Sequence, residues 1–133
     1  MFDLGEGARL EVLGVSPRGA VLLVEWDGFR LLLPMGVNFD LFNALENGKK
    51  IGPVTVLLLA DSGYAPSNPP DWLANLRPQA AILSVAAGDP QGLPDPSVLN
   101  ALNGTTTLLR TDRDGWIEVS TDGKQWWLEV ERK

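Results

Sequence analysis

The sequence predicts an α/β fold built on a mixed sheet with helices on one face. Residues 54–59 and 80–85 are apolar at nearly every position, which is typical of parallel strands that are covered on both faces. Helical patterns begin at Asn68 and Asp95, each followed by proline, and the end of the chain alternates apolar and polar residues. The expected order of elements is therefore about βββ-α-β-α-β-α-βββ.

Composition indicates one globular domain spanning residues 1–133. A chain of this length can bury a core without disulfides, and 44% of it is hydrophobic. The absence of Cys and His removes thiolate and imidazole ligands and the commonest general base. A net charge of −6, with no basic cluster beyond Lys49-Lys50, argues against strong binding of a phosphate backbone.

No apolar run approaches the roughly 20 residues that a membrane span needs. Residues 1–6 also lack the basic and apolar regions of a signal peptide. We therefore expect a soluble domain with no bound cofactor, either complete in itself or cut from a longer protein.

Eight segments are predicted to be strands. Asp27-Gly28 is typical of a tight turn, so the second and third strands are expected to form a hairpin. In the last strand Trp126, Leu128 and Val130 alternate with residues of the opposite face, the pattern of a half-exposed edge. The predicted strands are residues 9–15, 20–26, 29–33, 54–59, 80–85, 105–110, 116–120 and 125–131.

Three short helices are predicted. Asn38, Asn68 and Asp95 are the expected N-caps, the last two with proline at the first helical position. Asn-Gly pairs at residues 47–48 and 103–104 are expected to close the first and third helices. The expected apolar faces are Phe39, Phe42 and Leu45; Trp72, Leu73 and Leu76; and Val98, Leu99 and Leu102.

Two of the buried strands end in loops rich in small and acidic residues. These loops, residues 61–68 and 88–95, lie where α/β sheets usually place their sites, at the carboxyl ends of the strands. We call them the rim.

Several segments of the chain resemble segments of a known family and occur in the same order. They read Gly-Phe-Arg-Leu-Leu-Leu at residues 28–33, Thr-Val-Leu-Leu-Leu at 55–59, Ile-Leu-Ser-Val-Ala-Ala-Gly at 82–88, Pro-Asp-Pro at 94–96 with Val-Leu at 98–99, and, most specifically, Leu-Arg-Thr-Asp-Arg-Asp-Gly at 109–115. From about residue 9 onward, the chain resembles the C-terminal half of the metallo-β-lactamase-fold domain of ComEC-type competence (DNA-uptake) proteins. The resemblance implies half of an αββα sandwich.

The metal ligands that the resemblance would carry over are missing from this chain. Where the family has a Gly-Asp pair, the chain has Met35-Gly36; where it has His-His-Gly, the chain has Asp61-Ser62-Gly63; and where it has His-Pro-His-Pro, the chain has Leu93-Pro94-Asp95-Pro96. The first half of the family's domain, with its main histidine-rich motif, is absent. The resemblance thus implies a non-catalytic domain with vestigial rim positions, which are Gly36, Asp61, Ser62, Gly63, Leu93 and Asp95.

Other readings of the same residues stay open. Asp61 and Asp95 can offer oxygens to Mg²⁺ or Mn²⁺ in a carboxylate-only phosphodiesterase or nuclease, or the rim can bind a small ligand. Ser62 and Ser84 have no evident base to activate them. The five tryptophans can form a stacking platform, but burial in a core or an interface is the expected role.

A lone half of the sandwich implies one sheet face that lacks its cover. Such a face exceeds the few hundred Å² that monomers expose. We expect it to bind a second copy in a homodimer or the remainder of a longer parent protein, which in this family is a membrane-anchored competence protein.

Overall fold

The computed structural model describes residues 2–36, 39–102, 104 and 106–132. It is an α/β fold with nine strands and four helices in the described part of the chain. The strands are β1 (Phe2–Gly5), β2 (Ala8–Ser16), β3 (Gly19–Trp26), β4 (Phe29–Gly36), β5 (Val56–Leu58), β6 (Ala80–Leu83), β7 (Thr107–Arg110), β8 (Ile117–Thr121) and β9 (Trp126–Val130). The helices are α1 (Phe39–Ala44), α2 (Pro70–Leu76), α3 (Pro96–Ala101) and α4 (Thr111–Asp114).

Seven strands form one mixed sheet in sequence order, from β1 at one edge to β7 at the other. Strands β1 to β4 pair antiparallel, whereas β4 to β7 pair parallel. The mixed sheet is thus confirmed, and the apolar segments at its centre are its parallel strands. Two elements were not predicted: β1 is an additional edge strand, and α4 is a helical turn where a simple turn was expected.

Helices α1, α2 and α3 cover one face of the sheet. Leu41, Trp72 and Val98 are buried in a single apolar cluster with residues of β3 to β6. The indole of Trp72 is 1% exposed and meets the ring of Phe42 edge-on, with 5.1 Å between ring centroids. The placement of the predicted helices on one face is therefore confirmed.

The predicted apolar face of the first helix is only partly correct. Phe42 and Leu45 pack against the core as predicted, but Leu41 is the buried residue of the helix and Phe39 is 48% exposed. Gly14 provides the room, since a Cβ there would lie 3.2 Å from Cδ1 of Leu41. The predicted N-cap, Asn38, lies outside the described residues. The helix ends at Ala44, and residues 46–48 continue as a separate turn with positive φ.

The opposite face of the sheet is only partly covered. A two-stranded sheet of β8 and β9 packs Val119, Trp126 and Leu128 onto Phe29, Val56 and other residues of this face. Away from this hairpin, paired positions of β1 to β4 present further apolar residues on the same side. We call this region the open apolar face; it consists of Phe2, Leu10, Val12, Val15, Ala20, Leu22, Leu33 and Met35.

The alternation predicted for the last strand agrees with the structure. Trp126 packs toward the sheet, while Trp127 is 48% exposed on the other side of the hairpin. The two residues therefore cannot share one stacking platform. None of the helices in the described part of the chain is long and apolar enough to cross a membrane.

Two tryptophans of contrasting burial test this arrangement. We expect Trp72→Ala to lower the free energy of unfolding by about 3–5 kcal/mol, because it removes a fully buried indole and leaves a cavity. The matched change Trp127→Ala should shift it by no more than about 0.5 kcal/mol, because that side chain is half exposed. Urea denaturation followed by circular dichroism measures both; equal losses would contradict this assignment of the core.

Candidate functional site

The rim loop that follows β5 makes a left-handed turn. Asp61, Ser62 and Gly63 have φ of 51°, 52° and 83°. For the two residues that carry a side chain, this conformation is sparsely populated and costs of the order of 1 kcal/mol each. It persists only where surrounding contacts hold it.

Asn68 supplies those contacts from inside the loop. The residue is only 3% exposed. Its Nδ2 donates to the carbonyl oxygens of Ala60 (2.9 Å) and Tyr64 (2.8 Å). Its Oδ1 accepts from the backbone N–H of Ala60 at 3.0 Å. The predicted N-cap role of Asn68 is wrong: Pro69 occupies the cap position of α2, because the Asn68 amide satisfies buried backbone groups of the loop instead.

The two candidate carboxylates are both used within the rim. Oδ2 of Asp61 accepts from the hydroxyl of Ser67 at 3.1 Å. Oδ2 of Asp95 accepts from the backbone N–H of Ala65 at 2.6 Å. Asp95 does occupy the N-cap position of α3, as predicted, but its side chain makes no capping hydrogen bond. Its carboxylate crosses to the other loop instead.

Residues 61–68 and 88–95 are tied together directly. The backbone N–H of Asp95 donates to the carbonyl of Gly63 at 3.1 Å, and a Cβ on Gly63 would lie 2.5 Å from Cβ of Pro94. Leu93 packs against the helix-side core. The structure thus brings Asp61, Ser62 and Gly63 of one loop next to Leu93 and Asp95 of the other.

Gly36 lies at the end of β4, the strand beside β5. A Cβ at this position would lie 2.3 Å from the carbonyl oxygen of Arg18, and φ of Gly36 is 77°. Glycine is therefore required by the close approach of the turn between β2 and β3. A carboxylate cannot be placed at this position without moving that turn.

The chemistry available at the rim is limited. Among the described residues, no group of three or more side chains is arranged to hold a metal ion. Ser62 is half-buried and Ser84 exposed, and the sequence has no His or Cys to assist either. Surface cavities lie elsewhere: one of about 480 Å³ borders Leu13 and Ile51, one of about 330 Å³ borders Arg77, and one of about 310 Å³ borders Arg18 and Asp40.

Residues 109–115, the most specific part of the resemblance, form a structural clasp. The Arg110 guanidinium binds both oxygens of Asp112, at 3.0 and 2.7 Å. Thr111 Oγ1 accepts from the N–H of Val85 and donates to its carbonyl, both at 2.9 Å. Oδ2 of Asp114 accepts from the N–H of Arg110 at 2.8 Å. These contacts join β7 to the segment after β6 and lead the chain into β8.

Asn68 and Thr111 are the important polar residues whose roles the sequence did not reveal. Asn68 stood out only as a cap before two prolines, and Thr111 only as part of a matching segment. The predicted stop at Asn103 lies outside the described residues; α3 itself ends at Ala101. Comparison of the chain with protein-family models, with curated proteins and with solved structures gives no match.

Replacing Asn68 tests its role as the internal support of the rim. We expect Asn68→Ala to lower the free energy of unfolding by about 2–3 kcal/mol, because it leaves buried backbone groups of Ala60 and Tyr64 without partners. Asn100→Ala, on the exposed side of α3, is the control and should change it by less than about 0.5 kcal/mol. Chemical denaturation measures both; a neutral Asn68→Ala would contradict the role.

The ion pair of the clasp makes stability depend on pH at the acid end. The hydrogen bonds from Arg110 hold the pKa of Asp112 below its ordinary value and raise the pKa of Arg110. The pKa of Asp112 is lower in the folded chain than in the unfolded chain. The pair therefore stabilises the fold fully at pH values above the ordinary pKa of an aspartate, near 4. This stabilisation is lost as pH falls through the folded-state pKa.

Asp112→Asn should therefore cost about 1.5–3 kcal/mol at neutral pH and flatten the loss of stability below about pH 4. The measurement is the free energy of unfolding from urea denaturation at several pH values. Asp122, whose pKa is also lowered, by the backbone N–H groups of Gln125 and Lys124, titrates in both proteins, so the difference between them reports Asp112. An unchanged pH profile would contradict the assignment.

Proposed function

We propose that this chain is a non-catalytic, metallo-β-lactamase-like domain, related to ComEC-type DNA-uptake proteins, that acts through protein–protein contacts. The open apolar face is the observation that carries the proposal. Val15 is 69% exposed, Phe2 58% and Met35 47%, and the strands beneath them contribute further apolar side chains. An uncharged sheet face of this kind is typical of a surface that another polypeptide covers.

The rim supports the non-catalytic part of the proposal. Asp95 accepts a hydrogen bond from the other rim loop, and Asp61 accepts one from Ser67 within its own loop, so one oxygen of each candidate carboxylate serves the fold. At Gly36, the position of the family's bridging carboxylate, there is no room for a side chain. A domain of this family that has the fold but lacks the metal ligands would act by binding other proteins through its surface.

Two partners suit the open apolar face. One is a second copy of the chain, and the other is the remainder of a longer parent protein, which for a ComEC-type protein is anchored in a membrane. In either case the contact restores a second layer over the sheet. The net charge of −6 makes nucleic acid an unfavourable partner.

Titration with Mn²⁺ and Zn²⁺ tests the non-catalytic reading. We expect no saturable site in calorimetry, because each rim carboxylate already accepts a hydrogen bond and no third acidic ligand accompanies the pair among the described residues. Asp61→Asn and Asp95→Asn should each alter only the free energy of unfolding, by about 0.5–1.5 kcal/mol, through the hydrogen bonds they weaken.

One-site binding that is abolished by Asp61→Asn would overturn the proposal. It would favour instead a carboxylate-only, metal-dependent phosphodiesterase or nuclease, which hydrolysis of a model phosphodiester would then establish. Ser84→Ala, an exposed change just after β6 that removes no carboxylate, is the control. It should leave the titration and the stability unchanged.

A further inference from the structure

We propose that the open apolar face binds the same face of a second copy, forming a two-fold symmetric dimer. This inference rests on the proposed function, because it names the partner of the same surface. Val12, Val15 and Met35 lie at the centre of the contact. They are the exposed apolar side chains of β2 and β4 beyond the reach of the β8–β9 hairpin.

Strand register separates charged from apolar residues in this region. Leu23 is buried against the helices, so its neighbours Leu22 and Val24 point to the opposite face. The cross-strand row of Arg9, Glu25 and Arg30 lies on the helix side, where Glu25 pairs with both arginines. The open side of β2, β3 and β4, strands that are described throughout, presents apolar side chains alone.

The size of this surface fits a modest dimer interface. A fully exposed Val or Met side chain offers about 100 Å² and an aromatic one about 200 Å². Phe2, Val12, Val15 and Met35 are 58, 39, 69 and 47% exposed, so the open apolar face with its partly buried members contributes about 300–400 Å² per chain. Two chains bury about 600–800 Å² of apolar surface, and homodimer interfaces are about 65% apolar, which gives a total of about 900–1,200 Å². That is the size of a weak, reversible interface, at the lower end of the range for specific ones.

The chemistry of the face favours a second copy over a different polypeptide. It carries no charged side chain, so no like charges meet inside the contact, although each chain has a net charge of −6. An apolar sheet face can stack on its own copy, because packed sheets lie about 10 Å apart with strands within about 30° of each other. A two-fold axis uses one patch on both copies and closes the assembly at two.

The test is the mass of the chain in solution by multi-angle light scattering at about 100 µM, because interfaces of this size extend to micromolar affinity. We expect twice the mass of the chain. Val15→Glu and Val12→Glu each place a charge in the contact and should weaken association by at least about tenfold, leaving monomer. Ala74→Glu adds the same charge to the exposed side of α2 and should leave the dimer intact.

Far-UV circular dichroism and urea denaturation establish that each variant is folded, which is expected because Val12 and Val15 are exposed. Wild-type monomer at this concentration, or a dimer that persists in both valine variants, overturns the inference. A monomer that also binds no metal leaves the proposed function standing with another polypeptide as partner. One-site metal binding refutes the proposed function whatever the mass.

Discussion

The structure depends on one constraint: strands that are apolar on both faces must be covered on both faces. Val56 and Leu57 are neighbours in β5, and both are buried although they point to opposite sides of the sheet. Helices α1 to α3 meet this constraint on one side, with Trp72 as the largest buried residue. On the other side the β8–β9 hairpin covers β5 and β6 but not the far part of β2 to β4. The uncovered part is the basis of the proposed function, because apolar patches of a few hundred Å² are often interaction sites.

The rim shows how polar residues at the expected position of a site can serve folding instead. A left-handed turn such as the one at Asp61 and Ser62 is unfavourable for residues with side chains. The Asn68 amide offsets this cost by satisfying both backbone groups of Ala60, and the Asp95 carboxylate joins the second loop to the first. Once these oxygens and nitrogens are committed, the rim has few groups left for chemistry. The open apolar face therefore offers more for function than the rim does.

The clasp at residues 109–115 connects the end of β7 to the segment that follows β6. Thr111 fixes the end of β7 to Val85 through two hydrogen bonds, and the Arg110–Asp112 pair lies in a mostly buried position. Charges so placed need good geometry to offset their desolvation, and the bidentate arrangement provides it. The clasp immediately precedes β8, the first strand of the hairpin that covers part of the second face.

The sequence by itself determined the fold class, the order of the main elements and the residues of the rim. Apolar runs at residues 54–59 and 80–85 and proline after Asn68 and Asp95 are local signals, and local signals locate strands and helices. Tertiary structure alone decided that Leu41 rather than Phe39 faces the sheet, because Gly14, far away in the chain, makes the space. It also decided the uses of Asn68 and Asp95, since a short polar side chain that can cap a helix can equally satisfy a neighbouring loop. Whether such a side chain caps a helix or binds a neighbouring loop depends on the segments packed beside it, and these meet only in the folded protein.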